Sequence, residues 1–306
     1  MTKRQRLPIN GWLIIDKPEG MGSTNVVGLV KRLTNAAKVG HAGTLDPFAS
    51  GVLPIALGEA TKTIQFATDA EKTYRFTLTF GTRTDTDDRE GDVVETSDVI
   101  PKLADIKAAI PKFTGKVTQI PPAYSAIKID GQRAYDLARK GEAFEMKSRE
   151  VTIHALTFLS QPSEKEVEFE VRCSKGTYIR SLARDIAASL GALAHCSRLR
   201  RTKVGVFSET NAILLDKSEE MVHIPRLAGD ILGELRPVET VLDGIPVLAL
   251  DSQSADRIRH GLSQKVNDES LLGNDGLTVI AKLNGSPVAI GRMQGGSLKP
   301  VRVFNL

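Results

Sequence analysis

Two segments of the chain alternate apolar and polar residues in the way that half-buried β-strands do. In residues 74–80 every second side chain is aromatic or aliphatic, from Tyr74 to Phe80. Residues 166–173 repeat this alternation. Because successive side chains of a strand point to opposite faces, each segment is predicted to bury one face and to leave the other polar.

Apolar residues recur every three or four positions in other segments, which is the spacing of one face of a helix. One such stripe follows Ser23 and Thr24, either of which can cap the start of a helix. A second stripe runs from Ile179 to Leu190 and is followed by Gly191, a common residue at helix ends. Both stripes predict helices that pack one face against a core.

Strands and helices follow one another without a regular βαβ repeat. Shorter helices are predicted near 102–110 and 133–140, and a buried strand is predicted near 11–16. This order of elements predicts an α+β fold, in which a mixed, mainly antiparallel sheet is flanked by helices.

Glycine and proline cluster between residues 233 and 246. We therefore expect a boundary between a large domain, 11–235, and a small β-rich module, 246–306. Residues 1–10 carry three basic side chains and show no apolar periodicity. They are predicted to form a flexible basic tail.

The composition is that of an ordinary globular protein with a mildly basic surface. Its 306 residues include 41 Lys and Arg against 37 Asp and Glu, a net charge of +4, which permits an anionic partner without requiring one. Cys173 and Cys196 belong to no Cys-x-x-Cys pair, so we expect two reduced thiols rather than a zinc ribbon. No apolar stretch approaches the length of a transmembrane helix, and we expect a cytoplasmic protein without a membrane span.

The most informative stretch surrounds Asp46, which lies in a loop rich in glycine and precedes Pro47. An aspartate before proline is usually a turn former. Here the surrounding glycines permit close approaches to the backbone, and His41 lies five residues earlier. This combination favours a catalytic carboxylate, which acts as a nucleophile or a general base when a cation or hydrogen-bond donors hold it in place.

A second group of candidate residues lies at 173–180, where a strand is predicted to end and a helix to begin. Lys175, Arg180 and the free backbone N–H groups of the first helical turn would form an anion site. Tyr178 offers a ring for stacking. Arg180 is also a candidate partner that would keep Asp46 ionised; the alternative is an ordinary solvated helix start.

Four cations within six residues form the basic run 198–203: Arg198, Arg200, Arg201 and Lys203. Such a run would neutralise several phosphates of a nucleic acid and make affinity depend on salt. A solvated charged face is the alternative. Tyr74 similarly has two interpretations, a core residue or a ring that stacks on a base.

Other familiar sites do not fit the sequence. Residues 85–92 resemble a calcium loop, but Arg89 and Glu90 occupy positions where that loop needs a ligand and a glycine. His195 and Cys196 are adjacent and have no second ligand pair at a metal-binding spacing. No Gly-x-Ser-x-Gly elbow is present. We therefore expect neither a metal nor a cofactor.

Several blocks of the chain, taken in order, resemble the TruB-type tRNA pseudouridine synthases. The most specific is Gly-His-Ala-Gly-Thr-Leu-Asp-Pro-Phe-Ala-Ser-Gly-Val-Leu-Pro at 40–54. The others are Gly-Trp-Leu-Ile-Ile-Asp-Lys-Pro-Glu-Gly at 11–20, Lys-Thr-Tyr-Arg at 72–75, Gly-Thr-Arg-Thr-Asp-Thr at 81–86, Ile-Pro-Pro-Ala-Tyr-Ser-Ala-Ile-Lys at 120–128 and Cys-Ser-Lys-Gly-Thr-Tyr-Ile-Arg at 173–180.

The resemblance implies an enzyme that isomerises uridine 55 in the T-loop of tRNA to pseudouridine. It implies that Asp46 is the nucleophile, that Tyr74 stacks on the target base and assists proton removal from C5, and that Arg180 pairs with Asp46. The residues that it places at or near the pocket of the flipped base are His41, Tyr178, Leu199 and, in a supporting role, Lys17. The C-terminal module would be a PUA-like RNA-binding domain.

Three chemical routes stay open: attack of Asp46 on the ribose C1′, attack on the uracil C6, or a glycal intermediate. Two other functions also stay open, a non-catalytic RNA-binding module or tRNA chaperone and a pseudouridine synthase that modifies guided RNA sites. The short chain without long basic tails favours an enzyme that binds the T stem-loop as a monomer, without an obligatory protein partner.

Overall fold

The computed structural model describes residues 6–125, 127–142, 144–215 and 231–306. A ten-stranded sheet forms its centre. Its strands are β1 (Gly11–Lys17), β2 (Val39–His41), β3 (Ser50–Leu57), β4 (Lys72–Phe80), β7 (Gly115–Gln119), β10 (Arg149–Ser163), β11 (Glu166–Cys173), β12 (Ala194–Val204), β13 (Phe207–Ser208) and β14 (Ile213–Leu214). They are arranged in the order β14-β1-β3-β12-β4-β11-β10-β7, with β2 paired to β3 and β13 paired to β12.

Most neighbours in this sheet are antiparallel, while β1 with β14 and β3 with β12 are parallel. Two small hairpins accompany it, β5 (Thr82–Thr84) with β6 (Val93–Thr96), and β8 (Lys128–Ile129) with β9 (Gln132–Arg133). The helices of this part are α1 (Ser23–Thr34), α2 (Ile64–Asp69), α3 (Leu103–Ala109), α4 (Ala134–Arg139) and α5 (Ile179–Ser189). Short 3-10 turns lie at Gly58–Thr63, Ile110–Phe113, Glu209–Asn211 and Val238–Leu242. The predicted α+β fold class is confirmed.

The two alternating segments form adjacent central strands. β4 and β11 pair antiparallel, and Phe76 stacks on Phe169 with ring centroids 5.4 Å apart. Both rings are buried. The stripe that begins at Ile179 forms α5, whose apolar face packs into the same core. Burial of these aromatic and aliphatic faces therefore places the start of α5 close to β4.

A second, five-stranded sheet follows in the order β15-β17-β18-β19-β16. Its strands are β15 (Val247–Leu250), β16 (Gln264–Lys265), β17 (Thr278–Leu283), β18 (Ser286–Gln294) and β19 (Ser297–Val303), and α6 (Ser252–Arg259) packs against them. Ile280 and Ile290 share a buried cluster with Trp12 of the large sheet. The C-terminal region is β-rich, as predicted; the exact boundaries 11–235 and 246–306 stay predictions.

Only part of the predicted basic tail can be described, because residues 1–5 lie outside the described residues. Leu7 accepts a hydrogen bond from the Ala37 N–H and donates one to the Asn35 carbonyl, each 2.9 Å long. The backbone is therefore held against the end of α1 from Leu7 onward.

Candidate active site

A pocket of about 530 Å³ opens where the loop before β3, the start of β4 and the start of α5 meet. Five of the residues predicted to act together line it: Asp46, Tyr74, Tyr178, Arg180 and Leu199. They come from positions that are far apart in the sequence, and the sheet brings them together because β4, β12 and α5 share one core.

The loop that carries Asp46 is held from below by buried donors. The Lys17 ammonium donates hydrogen bonds to the carbonyls of Pro18 (3.0 Å), Met21 (2.7 Å) and Pro47 (3.2 Å). Lys17 is fully buried, and burial lowers its pKa to about 8, although the nearby Asp46 opposes that shift. The side chain predicted to support the site therefore lies behind the loop and fixes the residue next to Asp46.

Arg201 supports the same loop from β12. Its guanidinium donates to the carbonyls of Val52 (2.8 Å), Gly43 (3.1 Å) and Thr44 (3.4 Å). β12 passes so close to β3 that a Cβ at Gly51 would lie 2.2 Å from the Arg201 carbonyl oxygen. Gly51 also has φ +104°, so this close approach requires glycine.

Arg180 connects the loop of Asp46 to the 84–88 segment. Its Nε lies 2.9 Å from Asp46 Oδ2 and its Nη1 lies 3.2 Å from Asp88 Oδ2, in ion pairs. The same guanidinium donates 2.8 Å hydrogen bonds to the carbonyls of Thr86 and Tyr124. With only 4% of its side chain exposed, Arg180 is locked in one orientation, and it orients the Asp46 carboxylate.

The electrostatic balance at Asp46 has opposing causes. Burial in the pocket raises its pKa above the ordinary value, although one third of the side chain still faces the opening. The positive charges of Arg180 and Lys17 lower the pKa, whereas the carboxylate of Asp88 raises it. The pKa of Asp46 is therefore raised overall. Keeping its carboxylate ionised in the pocket costs free energy, which the ion pair with Arg180 partly offsets.

Tyr74 points into the pocket from β4, across from Arg201 on β12. Burial raises the pKa of its phenol, while Arg201 opposes that shift. The ring is therefore a neutral phenol at neutral pH. Leu199, which pairs with Phe76 in the same sheet, contributes an apolar wall beside it.

Tyr178 is fixed as the residue that precedes α5. The Gln119 side chain accepts a hydrogen bond from its N–H (2.8 Å) and donates one to its carbonyl (3.0 Å). The guanidinium carbon of Arg149 lies 4.7 Å from the centroid of its ring. Gln119 and Arg149 thus set the position of Tyr178, which lines the same pocket as Tyr74.

Two of the residues predicted for the base pocket lie outside the set that lines it. Lys17 lies behind the loop, and His41 lies half-buried on β2, paired with Ile55. Burial lowers the pKa of His41, and the charge of Arg201 lowers it further. His41 is therefore neutral at physiological pH.

The basic run 198–203 forms most of β12 rather than a uniform charged surface. Arg200 makes a bidentate pair with Asp16 (3.0 and 2.7 Å) and a third contact with Glu209 (2.8 Å). Arg201 is 1% exposed and is bonded to carbonyls. Both side chains are engaged by protein groups, although about a third of the Arg200 side chain is exposed (35%). That these two side chains contact an RNA backbone stays a prediction. Arg198 and Lys203 are exposed.

Lys175 stands at the rim of the pocket, where its ammonium lies 2.9 Å from Asp69 Oδ1 and most of the side chain is exposed. Lys72, which the sequence analysis did not select, is buried in the lining and donates to the carbonyls of Ala67, Thr68 and Ala70 at the end of α2. Burial lowers the pKa of Lys72 to about 8.

The sequence analysis also missed Arg149, which lines the pocket, and Asp88, which pairs with Arg180. Asp88 belongs to the 85–92 segment, whose acidic residues were considered only as calcium ligands. Arg149 is a single arginine at the start of a strand, which carries no local signal.

Within the described residues, no group of His, Cys, Asp and Glu is arranged to hold a metal ion, and no helix is long and apolar enough to cross a membrane.

Comparison with known proteins gives two family models that match consecutive parts of the chain. The first, described as the N-terminal domain of TruB family pseudouridylate synthase, matches residues 31–179. The second, described as tRNA pseudouridylate synthase B C-terminal domain, matches residues 180–243.

Similar full-length proteins are also found. The tRNA pseudouridine synthase B of Caulobacter sp. (strain K31) is 48% identical over 304 residues, which cover 97% of each chain. That of Bradyrhizobium diazoefficiens is 48% identical over 306 residues, which cover 100% of this chain and 88% of the relative. Among solved structures, a Cbf5-Nop10-Gar1 complex matches with a TM-score of 0.70 and 26% identity, covering 96% of this chain and 84% of that chain.

Proposed function

The chain belongs to the TruB family of pseudouridylate synthases, and we propose from its pocket how it converts uridine 55 of tRNA into pseudouridine. The observation that carries the proposal is the Asp46 carboxylate, oriented by Arg180 at 2.9 Å and facing a pocket that is lined by two tyrosines. Asp46 is the attacking group, and Arg180 is the residue that positions it.

The reaction rearranges bonds within one nucleotide. The N1–C1′ bond breaks, the uracil turns, a C5–C1′ bond forms, and the proton of C5 is lost while N1 gains one. No net oxidation occurs and no phosphate bond is spent, so the balance calls for neither a redox cofactor nor a nucleotide. Asp46 begins this sequence by attack on C1′, by attack on C6, or by assisting a glycal route, and each route requires its ionised form.

The target base lies inside a folded RNA loop and must leave its stack to reach Asp46. Tyr74 and Tyr178 supply aromatic faces for the extruded base, each contributing on the order of 1–3 kcal/mol of stacking. Because Tyr74 is a neutral phenol at neutral pH, it suits stacking directly. To accept the C5 proton, it must pass its own proton on in the same step.

We place the RNA around this pocket by charge and exposure. The exposed cations Lys175, Arg198 and Lys203 are the candidates for contacts to the RNA backbone. The five-stranded C-terminal sheet is the candidate PUA-like module for further contacts. We propose that the protein acts on tRNA as a monomer in the cytoplasm, with His41 and Lys17 supporting the loop of Asp46.

A bare RNA hairpin of the T stem and loop tests this function. We expect purified protein, with no partner protein or guide RNA, to form pseudouridine at the position that corresponds to uridine 55, as mapped by chemical modification of the product. A binding module or chaperone would leave the uridine unchanged. A guided synthase would need added partners, and either result would contradict the proposal.

The pH dependence of the reaction follows from the pKa of Asp46. Because burial raises that pKa, kcat/KM is expected to fall in acid at a pH above that at which an ordinary aspartate (3.8) titrates. Asp88→Asn removes a neighbouring negative charge that raises the pKa of Asp46, so the acid limb of the profile should move to lower pH. A limb that stays in place in this variant would show that another group controls it.

A further inference from the structure

Arg149 stands at the pocket in a position that the mechanism does not use. It begins β10 and pairs in the sheet with Gln119, the last residue of β7. The same Gln119 holds the backbone of Tyr178 through two hydrogen bonds. Arg149 and Tyr178 therefore line one part of the pocket together with Gly176, and Gln119 connects them from behind.

The guanidinium of Arg149 is partly buried and lies over the Tyr178 ring, 4.7 Å from its centroid. Its Nε and Nη2 atoms are buried, and neither has a hydrogen-bond partner among the residues that the structure describes. Stacking uses only the face of a guanidinium, so the N–H groups in its plane remain unsatisfied. Buried donors of a charged group are costly when they lack an acceptor.

The other cations of the pocket have protein carboxylates or carbonyls as partners, although Arg180 Nε, which forms the ion pair with Asp46, has no hydrogen-bond partner among the described residues. Arg180 contacts Asp46 and Asp88, Arg201 donates to backbone carbonyls, and so does Lys72. Lys175 pairs with Asp69 at 2.9 Å. Among the described cations that line the pocket, Arg149 therefore differs in having no protein acceptor for its charge.

We propose that Arg149, stacked on Tyr178, forms a binding subsite for one backbone phosphate of the RNA, next to the uridine that enters the pocket. The inference rests on the proposed function, which brings RNA to this pocket. A phosphate matches what the site lacks, because its oxygens accept the forked N–H donors of arginine and its charge balances the guanidinium. A neutral base edge would leave the charge uncompensated.

The first test measures how RNA affinity depends on salt. The RNA is the T stem-loop hairpin, and Asp46→Asn is the background so that no turnover occurs. Adding Arg149→Gln should reduce the slope of log affinity against log salt by about 0.7–0.9, the effect of one lost phosphate contact. Arg149→Lys, which keeps the charge, should retain most of the slope.

Arg75→Gln is the matched control. Arg75 follows Tyr74 on β4 and therefore points to the opposite face of the sheet, where it pairs with Glu170 at 3.1 Å. Its replacement should leave the slope unchanged. Equal slopes for the Arg149→Gln variant and its parent would overturn the phosphate subsite. Such a result, combined with a slower reaction when Arg149→Gln is introduced into the otherwise unmodified protein, would show that Arg149 only holds the Tyr178 ring.

The second test identifies the phosphate. Hairpins are made with one uncharged methylphosphonate linkage at a time around the target uridine. One linkage is expected to weaken binding to the parent protein several-fold and to have little further effect on the Arg149→Gln variant. If each methylphosphonate linkage weakens binding to the Arg149→Gln variant by the same factor as binding to the parent protein, the inference is contradicted. Failure of the proposed function is seen separately, as a lack of pseudouridine with the unmodified protein and hairpin.

Discussion

Replacing Asp46 by asparagine is expected to abolish pseudouridine formation, with a loss on the order of 10⁴-fold or more in the single-turnover rate. The amide has nearly the same shape as the carboxylate, but it is neutral and a poor nucleophile, so none of the three routes can begin. Arg180 keeps its contacts with Asp88 at 3.2 Å and with two backbone carbonyls, and the pocket is expected to stay folded.

Binding of the T stem-loop separates this chemical loss from a structural one. The Asp46→Asn variant should bind the hairpin with an affinity close to that of the parent protein, because the exposed cations and both tyrosines are unchanged. Asp185→Asn is a matched control, since Asp185 pairs with Arg184 on α5 and lies outside the pocket lining. Its turnover should be that of the parent. Turnover retained in Asp46→Asn would remove Asp46 from the role of attacking group.

Arg180 is the second position at which a single change should have a large effect. Arg180→Lys keeps one positive charge but cannot reach two carboxylates and two carbonyls in the fork geometry of arginine. The Asp46 carboxylate then loses its fixed direction, and misplacement of a reacting group by about 1 Å can cost on the order of 10²-fold in rate. We expect at least that loss in the single-turnover rate.

Stability provides the second measurement on Arg180. Removing the charge altogether, in Arg180→Met, leaves two carboxylates without their shared cation, and loss of one partner of a buried pair costs about 3–5 kcal/mol. Denaturant unfolding of both variants measures this cost. Arg184→Lys, one turn further along α5, is the control, because Arg184 is more exposed and pairs with Asp87, outside the loop of Asp46. Parental turnover in Arg180→Lys would contradict the positioning role.

The sequence predicted the fold where local pattern and burial agree. The alternation in 74–80 and 166–173 became the paired strands β4 and β11, and the stripe after Ile179 became α5. In each case one physical cause, burial of an apolar face, determines both the local structure and the packing. The glycine-rich loop of Asp46 was also recognisable, because few other residues permit its backbone conformation and close approaches.

Local sequence patterns could not predict the contacts between residues that are far apart in the chain. Arg200 and Arg201 looked like a surface run, yet β12 lies between β3 and β4, where Arg201 is buried against backbone carbonyls and Arg200 pairs with Asp16 and Glu209. Asp88 contacts Arg180 across 92 residues of sequence, and nothing near either residue indicates the pair. Arg149 acquires its significance only from Tyr178 and Gln119, which the sheet brings beside it.

Release of tritium from the target uridine tests the central claim most directly. A T stem-loop hairpin is prepared with tritium at C5 of the uridine at position 55 only, because formation of the C5–C1′ bond expels that hydrogen to water while the mass of an unlabelled nucleotide stays the same. The unmodified protein, without cofactor or partner, should release the label to completion, and Asp46→Asn should release none above background while still binding the hairpin. Retention of the label by the unmodified protein, or equal release by both proteins, would contradict an aspartate-dependent uridine isomerase.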